Sequence, residues 1–383
     1  MHILRITDWA ELEPLAARWD QLAGDTVFRS WAWQSTWWKH YGENRQLFVL
    51  LVCAEQQAPS CQTESTCGDV ASRSENLLAI LPCYVETSFP RGRVLRLLGD
   101  GEVCSDYVDL LADPAYVSSA TRAIAQYLSK NSLDWDTTDF TAIGSECRGL
   151  NQLADALAAI DCHVVRSPNE SCWSISLPED WEQFLAMQSK SHRKQLRRLE
   201  KRVLNTDQAV WHLVEEPAQF EVAWPILVDL HQRRRISLGE PGRFASQQWA
   251  SFHRELARQL LDEGKLRLSW LEIAGQPVAA EYHCAGQDTT WAYQGGVDPN
   301  RIDEEPGRMS MIRTFQHAIA EGHRHFDLLR GDEPYKAHWR AEPQATFDIQ
   351  IVPDRSAARW RSQACNYLQR AVRAARQITS ILS

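Results

Sequence analysis

The sequence predicts an α/β protein made of two successive units, and three observations carry that reading. Segments with helical and with strand periodicity alternate along the chain; the alternation restarts near residue 166; and 383 residues exceed what one hydrophobic core ordinarily organises. The expected boundaries are 1–165 and 166–353, with a basic amphipathic helix over 354–383.

In the first unit Trp9, Leu12, Leu15, Trp19 and Leu22 recur at helical spacing and predict a helix over 9–22. Phe28-Arg29-Ser30 leads into a second helix over 31–41, crowded with tryptophan. The nearly continuous apolar runs 47–54 and 77–85 read as strands. Between them 55–76 is polar, rich in Ser, Thr, Gln and Cys, and reads as a surface loop or disordered insertion. Strands over 94–98 and 107–111, a helix over 115–129, a strand over 136–142 and a helix over 150–160 complete the unit. The second unit opens with a strand over 173–177, followed by a helix over 181–205, a strand over 210–214 and helices over 218–235 and 246–263. Three strands follow in quick order, 266–273, 277–285 and 289–295, with Gly275 and Gly286-Gln287-Asp288 as hairpin turns. A helix opened by Pro306-Gly307 and closed by Gly322, a strand around Phe326 and a strand over 346–352 end it.

Composition removes several classes. No run approaches the roughly 18 to 20 apolar residues that a membrane-spanning helix needs. The N-terminus lacks the basic start and apolar core of a secretory signal, so a cytoplasmic location is expected. Ten cysteines are spread from Cys53 to Cys365 without a Cys-x-x-Cys pair or a histidine cluster at zinc spacing, which favours free thiols and no metal. His323-Arg324-His325 is the one close histidine pair, and no second ligand group accompanies it. A formal charge of −9 argues against general coating of nucleic acid. The acid excess lies mainly before residue 150, and the second half carries dense basic patches.

The segment 303–339 is the most informative. A Pro-Gly turn feeding a helix leaves backbone N–H groups unpaired, which suits a phosphate, and the strand Phe326–Gly331 returns polar side chains toward the same neighbourhood before Glu333-Pro334-Tyr335-Lys336. This segment resembles the closing motif of the cellulose-biosynthesis-type acetyltransferases of the GNAT superfamily, where a Pro-Gly helix start, a buried Phe-Asp strand and a Gly-x-x-x-Tyr-Lys ending occur together. Phe28-Arg29-Ser30, Leu78–Pro82, Leu97-Leu98-Gly99, Ser105-Asp106-Tyr107 and Ser189–Lys194 look like further landmarks of that family. The resemblance implies tandem GNAT-like domains, each a mixed, mostly antiparallel sheet flanked by helices, as in Fem-type transferases. It implies acetyl-CoA or another acyl-CoA as donor, with Pro306, Gly307, Arg308, Met309 and Ser310 at its pyrophosphate. The usual Gln/Arg-x-x-Gly-x-Gly/Ala fingerprint is missing, and Asp303, Glu304 and Glu305 oppose a pyrophosphate unless they point outward or attract a cationic acceptor.

Acyl transfer to an amine needs a base, an oxyanion donor and an acid for the leaving thiolate. Glu281 and His283 sit two apart on one strand and so share a face, which makes Glu281 the candidate base or else a salt-bridged structural carboxylate. Tyr335 is the candidate acid, with Lys336 orienting a carbonyl, phosphate or carboxylate. The plain alternative is an exposed tyrosine packed on Trp339. His231, just before Arg233-Arg234-Arg235, faces either the acceptor or only its own helix dipole. His283, Arg235 and Arg330 are expected at the acceptor, and Asp327 in a structural role.

Residues 190–202 hold seven Lys/Arg against one Glu, over a buried stripe of Leu185, Leu196, Leu199 and Val203. Such a face is either simply solvated or binds an anion: the CoA 3′-phosphate, an acyl carrier protein or tRNA, nucleic acid ranking lowest for want of interleaved aromatics. The basic tail either packs on the protein or meets an anionic membrane surface. The functional expectation is an acyltransferase acting on an amine or hydroxyl of a sugar, lipid or cell-envelope precursor. The alternatives are a Fem-type aminoacyl-tRNA-dependent transferase and a non-catalytic GNAT scaffold in polysaccharide assembly.

Overall fold

The computed structural model describes residues 1–55 and 76–365. They form two compact units: Met1–Asn169 with the described residues from Thr346 on, and Glu170–Ala345. Each contains a mixed, mostly antiparallel sheet flanked by helices.

The first unit contains β1 (His2–Ile6), α1 (Ala16–Ala23), α2 (Trp31–Tyr41), β2 (Gln46–Cys53), β3 (Leu77–Ser88), β4 (Gly92–Leu97), β5 (Leu111–Ala112), α3 (Val117–Lys130), β6 (Thr137–Thr138), β7 (Phe140–Gly144) and α4 (Arg148–Ala158). Its sheet runs β1-β2-β3-β4-β6 with β5 beside β3, and only the β4–β6 pair is parallel. Because side chains alternate along a strand, Phe48, Leu50 and Val52 of β2 and Ala79, Leu81 and Cys83 of β3 turn to one face, against Ile124 and Leu128 of α3 and Leu153 and Leu157 of α4. On the other face Trp37 of α2 packs on Tyr84, 5.2 Å between ring centroids.

Two sequence expectations change here. The helix over 9–22 divides into 3-10 turns at Trp9–Glu11 and Glu13–Leu15 before α1, since Pro14 supplies no N–H to a continuous helix. The strand over 107–111 shrinks to β5, because Tyr107 adopts a left-handed φ of 61° that interrupts extension. The loop expected at 55–76 and the tail over 354–383 lie largely outside the described residues; of the tail, 356–365 is helical and Trp360 is 71% exposed.

Strand β8 (His163–Ser176) carries the chain into the second unit, which holds α5 (Trp181–Met187), α6 (Lys190–Leu199), β9 (Ala209–Leu213), α7 (Pro217–Ser237), α8 (Gln247–Asp262), β10 (Leu266–Ile273), β11 (Gln276–Ala285), β12 (Thr289–Val297), α9 (Pro306–Ala320), β13 (His325–Arg330) and α10 (Pro334–His338). The helix expected over 181–205 breaks at extended Gln188, and Ser189 caps α6 by accepting from the His192 N–H; a π-helical turn, Glu200–Leu204, prolongs it. The last strand, β14 (Glu342–Val352), pairs antiparallel with β7, so the chain from Thr346 groups with the first unit although the sequence reading closed the second unit at 353.

Within the second unit the strands run from Cys172–Ser176 of β8 through β13, β12, β11 and β10 to β9. Phe184, Leu196, Ile312 and Phe315 of α5, α6 and α9 cover one face, against Leu271, Ile273, Ala279 and Phe326. α7 and α8 cover the other, where Trp224 meets Tyr282 edge-on at 5.7 Å. β12 and β13 are parallel, joined by α9, and paired only over Thr289–Trp291 with His325–Asp327. Beyond those residues β12 stays with β11 as far as Val297, whereas β13, paired with β8 from His325, bulges at Leu328-Leu329 and rejoins β8 at Arg330. The two parallel strands therefore part at their C-terminal ends, beside the N-terminus of α9, which is where α/β sheets ordinarily receive ligands. No helix among the described residues is long and apolar enough to cross a membrane.

Candidate active site

Glu281 lies on β11 opposite Gly295 of β12 and Ser269 of β10. It is 8% exposed, and its Oε2 stands 2.4 Å from where a Cβ on Gly295 would be, so glycine at 295 leaves the carboxylate its space. His283 shares the face, as the spacing predicts, with Nε2 3.4 Å from Glu281 Oε2. At 1% exposure, however, His283 is sealed from any substrate, so the expected acceptor contact is replaced by contact with Glu281.

Tyr335 is half-exposed at the start of α10. Burial of its phenol end, then the nearby charges of Glu333 and Glu281, push its proton affinity up, while Arg235 opposes them. The charges of Glu281 and Arg235, which the sequence could only name separately, thus both act on the Tyr335 phenol. The phenol stays protonated at neutral pH and suits a proton donor. Its ring does not pack on Trp339, which instead meets His192 and Phe315 at 4.9 Å and 5.0 Å. Arg235 pairs with Glu240 at 2.9 Å, and Arg330 is partly buried at the end of β13.

Two expected catalytic residues prove to be clamps. Lys336 is 2% exposed and donates from Nζ to the carbonyls of Leu329, Arg330 and Gly331 at 3.0, 3.0 and 2.9 Å, with Glu333 Oε2 at 3.0 Å. All three ammonium protons go to the bulged end of β13 and the residue after it, where Leu329 takes a left-handed φ of 57°. Asp327 steadies the same bulge by accepting from the Leu329 N–H at 2.7 Å, the structural role expected of it. His231 is fully buried; Nδ1 donates to the Gly295 carbonyl at 3.0 Å and Nε2 accepts from the Arg243 N–H at 3.2 Å. Burial lowers its proton affinity, and with both nitrogens used it ties α7 to β12 rather than facing an acceptor.

The turn before α9 has the form a phosphate needs. Pro306 stands at the first helical position and Glu305 takes a left-handed φ of 62°. The Gly307 and Arg308 N–H groups have no acceptor among the described residues, and a Cβ on Gly307 would stand 3.3 Å from Val297 Cγ1. Met309 and Ser310 are fully buried, and Met309 packs in the apolar core under α9. The acidic triplet is largely compensated: Glu304 pairs with Arg301 at 2.6 Å, and Glu305 with Arg308, with Arg198 at 3.2 Å and with Gln195 Nε2 at 2.6 Å. Arg308, expected to add charge for a phosphate, is held by Glu305.

Sequence reasoning missed Gly295-Gly296, whose signal was a glycine pair inside a strand. A Cβ on Gly296 would stand 2.3 Å from the His231 backbone nitrogen, so β12 lies directly under α7. It also missed Gln195 and Arg198, which no spacing connects to residue 305. The pair His323 and His325 separates, His323 bonding Thr290 at 2.6 Å and His325 lying exposed at the start of β13. Among the described residues no group of three or more His, Cys, Asp or Glu is placed to hold a metal, and no disulfide joins the described cysteines.

Residues 190–337 match the family described as acetyltransferase (GNAT) domain, a span that contains Glu281, Tyr335, the α9 turn and the basic helix. Three solved structures share the fold over nearly the whole chain. FemX does so at 9% identity and a TM-score of 0.56, covering 91% of this chain and 97% of its own. A conserved protein of unknown function from Bacteroides thetaiotaomicron VPI-5482 does so at 10% and 0.52, covering 92% and 100%. The C-terminal domain of a putative lysylphosphatidylglycerol synthetase from Agrobacterium fabrum does so at 10% and 0.50, covering 94% and 97%. At such identities the likeness is one of fold. No curated protein matches the chain in sequence.

Proposed function

We propose that the second unit transfers an acyl group from acyl-CoA to an amine or hydroxyl of a sugar, lipid or cell-envelope precursor. The observation that carries this reading is a buried carboxylate, Glu281, on β11 beside the parted end of β12, whose charge acts on the protonated phenol of Tyr335 just after β13, inside the span that matches an acetyltransferase domain. Glu281 takes the proton of the attacking amine or hydroxyl, and Tyr335 gives one to the departing thiolate sulfur. The free amides of Gly307 and Arg308 suit the donor's pyrophosphate, and compensation of Glu304 and Glu305 reduces the charge that opposes it.

A second reading, a Fem-type aminoacyl-tRNA-dependent transferase, draws support from the fold shared with FemX and from Lys190, Lys194, Lys201 and Arg202, exposed cations without an ion-pair partner among the described residues. Titrating the protein with acetyl-CoA, longer acyl-CoAs, CoA and charged tRNA while following its thermal unfolding separates the two. Stabilisation by acyl-CoA is expected, since a ligand that binds only the folded state raises the transition by mass action. Stabilisation by charged tRNA alone puts the second reading first, and no stabilisation by any of them leaves the non-catalytic scaffold.

A further inference from the structure

The face of β10 and β11 turned toward α9 is apolar at Leu271, Ile273 and Ala279 and then turns polar at Ser269, Glu281 and His283. Two atoms of that polar set lack any hydrogen-bond partner: His283 Nδ1 and Ser269 Oγ, in side chains of residues 1% exposed. A buried polar atom left unpaired is unfavourable, and a leucine or phenylalanine at 283 would avoid it while filling the same space against Phe326, whose ring stands edge-on at 5.6 Å. The imidazole's other nitrogen is the one with a polar neighbour, Nε2 at 3.4 Å from Glu281 Oε2. No other polar contact to the Glu281 side chain is present among the described residues, and that side chain retains 11% exposure.

We propose that His283 is a positioning residue for Glu281. With its proton on Nε2 it donates to Oε2, holding one carboxylate oxygen against the sheet and leaving Oε1 to face the acceptor. Gly295 completes the arrangement, because any side chain there would push the carboxylate off the imidazole. The inference rests on Glu281 being the base of the proposed reaction.

The test has a spectroscopic arm and a kinetic arm. In protein carrying 15N-histidine, the His283 ring should show protonation at Nε2 and none at Nδ1, and Glu281→Gln should move the Nε2 resonance; a ring that is merely packed shows no response to that substitution. In the kinetic arm, acetyl-CoA serves as donor and glucosamine as probe acceptor. His283→Leu should lower kcat roughly 10- to 100-fold with KM for acetyl-CoA within about twofold, and His283→Gln, whose amide can donate to the carboxylate, should recover most of the loss. Protonation at Nδ1, an Nε2 resonance indifferent to Glu281→Gln, or a His283→Leu variant with parental kcat overturns the proposal. If His283→Leu fails to fold, the nitrogen resonances and the Gln variant still decide it. Full turnover in Glu281→Gln would instead remove Glu281 as the base, and the positioning role with it, even where the resonances show the contact.

Discussion

Replacing Lys336 by methionine separates a clamp from a catalyst. Methionine nearly preserves the stem and removes only the ammonium, which donates to three carbonyls at the C-terminal end of β13 and pairs with Glu333. Hydrogen bonds from a charged donor contribute about 1.5 to 3 kcal/mol each, but they are not additive, and breaking a buried charged cluster typically destabilises by about 3 to 5 kcal/mol. For a unit of this size about 1 kcal/mol moves Tm by roughly 2 to 4 °C, so the transition of the second unit should fall by roughly 6 to 20 °C. Urea and thermal unfolding followed by tryptophan fluorescence read this directly, with two transitions allowed for two units. A Lys336→Met protein with parental unfolding but lost turnover would refute the clamp and restore a chemical role.

Gly307→Val should weaken acyl-CoA binding about tenfold or more, measured by calorimetry, because a branched side chain covers the free amides and crowds Val297. Glu321 ties the second unit together while it is ionised: burial alone would raise its carboxyl, but His317 and Arg267, the latter at 2.7 Å, outweigh that and hold it down at about 2. Its contribution is therefore present above its ordinary value of 4.5 and lost as pH falls from there toward 2, damped by solvent screening of this partly exposed pair, and Glu321→Gln should flatten urea-unfolding midpoints measured across that window. Reversing Lys190, Lys194 and Lys201 to Glu should weaken an anionic partner and flatten the salt dependence of its binding, whereas a merely solvated face leaves the parent's affinity equal at low and moderate salt.

The elements of the fold were legible wherever periodicity alone decides them. Trp31–Tyr41 forms the predicted helix, and the three hairpin strands from Leu266 onward appear within two residues of the predicted ends. Boundaries shifted where one residue overrides the pattern, as Pro14 does in the first helix and Gln188-Ser189 do in the basic one. At the site, Glu281 beside His283 follows from strand alternation, and Tyr335 only from the resemblance of the closing segment to a family motif. What local sequence does not carry is where a polar hydrogen goes. Lys336 and His231 have the chemistry of catalysts, and only tertiary structure reveals that their protons and lone pairs are spent on backbone groups. Compensation of Glu305 by Arg198 and Gln195 is likewise invisible, since more than a hundred residues separate the partners.

Turnover of Glu281→Gln and Tyr335→Phe, measured beside acyl-CoA affinity, tests the proposed chemistry most directly. Both substitutions nearly preserve shape, and proton transfer matters in the transition state rather than in the ground state. Each should therefore lower kcat by about 10² to 10⁴ while leaving the donor's Kd within about twofold. Two variants with parental kcat on an acceptor that the parent acylates would contradict general acid–base catalysis by this pair and leave positioning and backbone oxyanion stabilisation to account for the reaction.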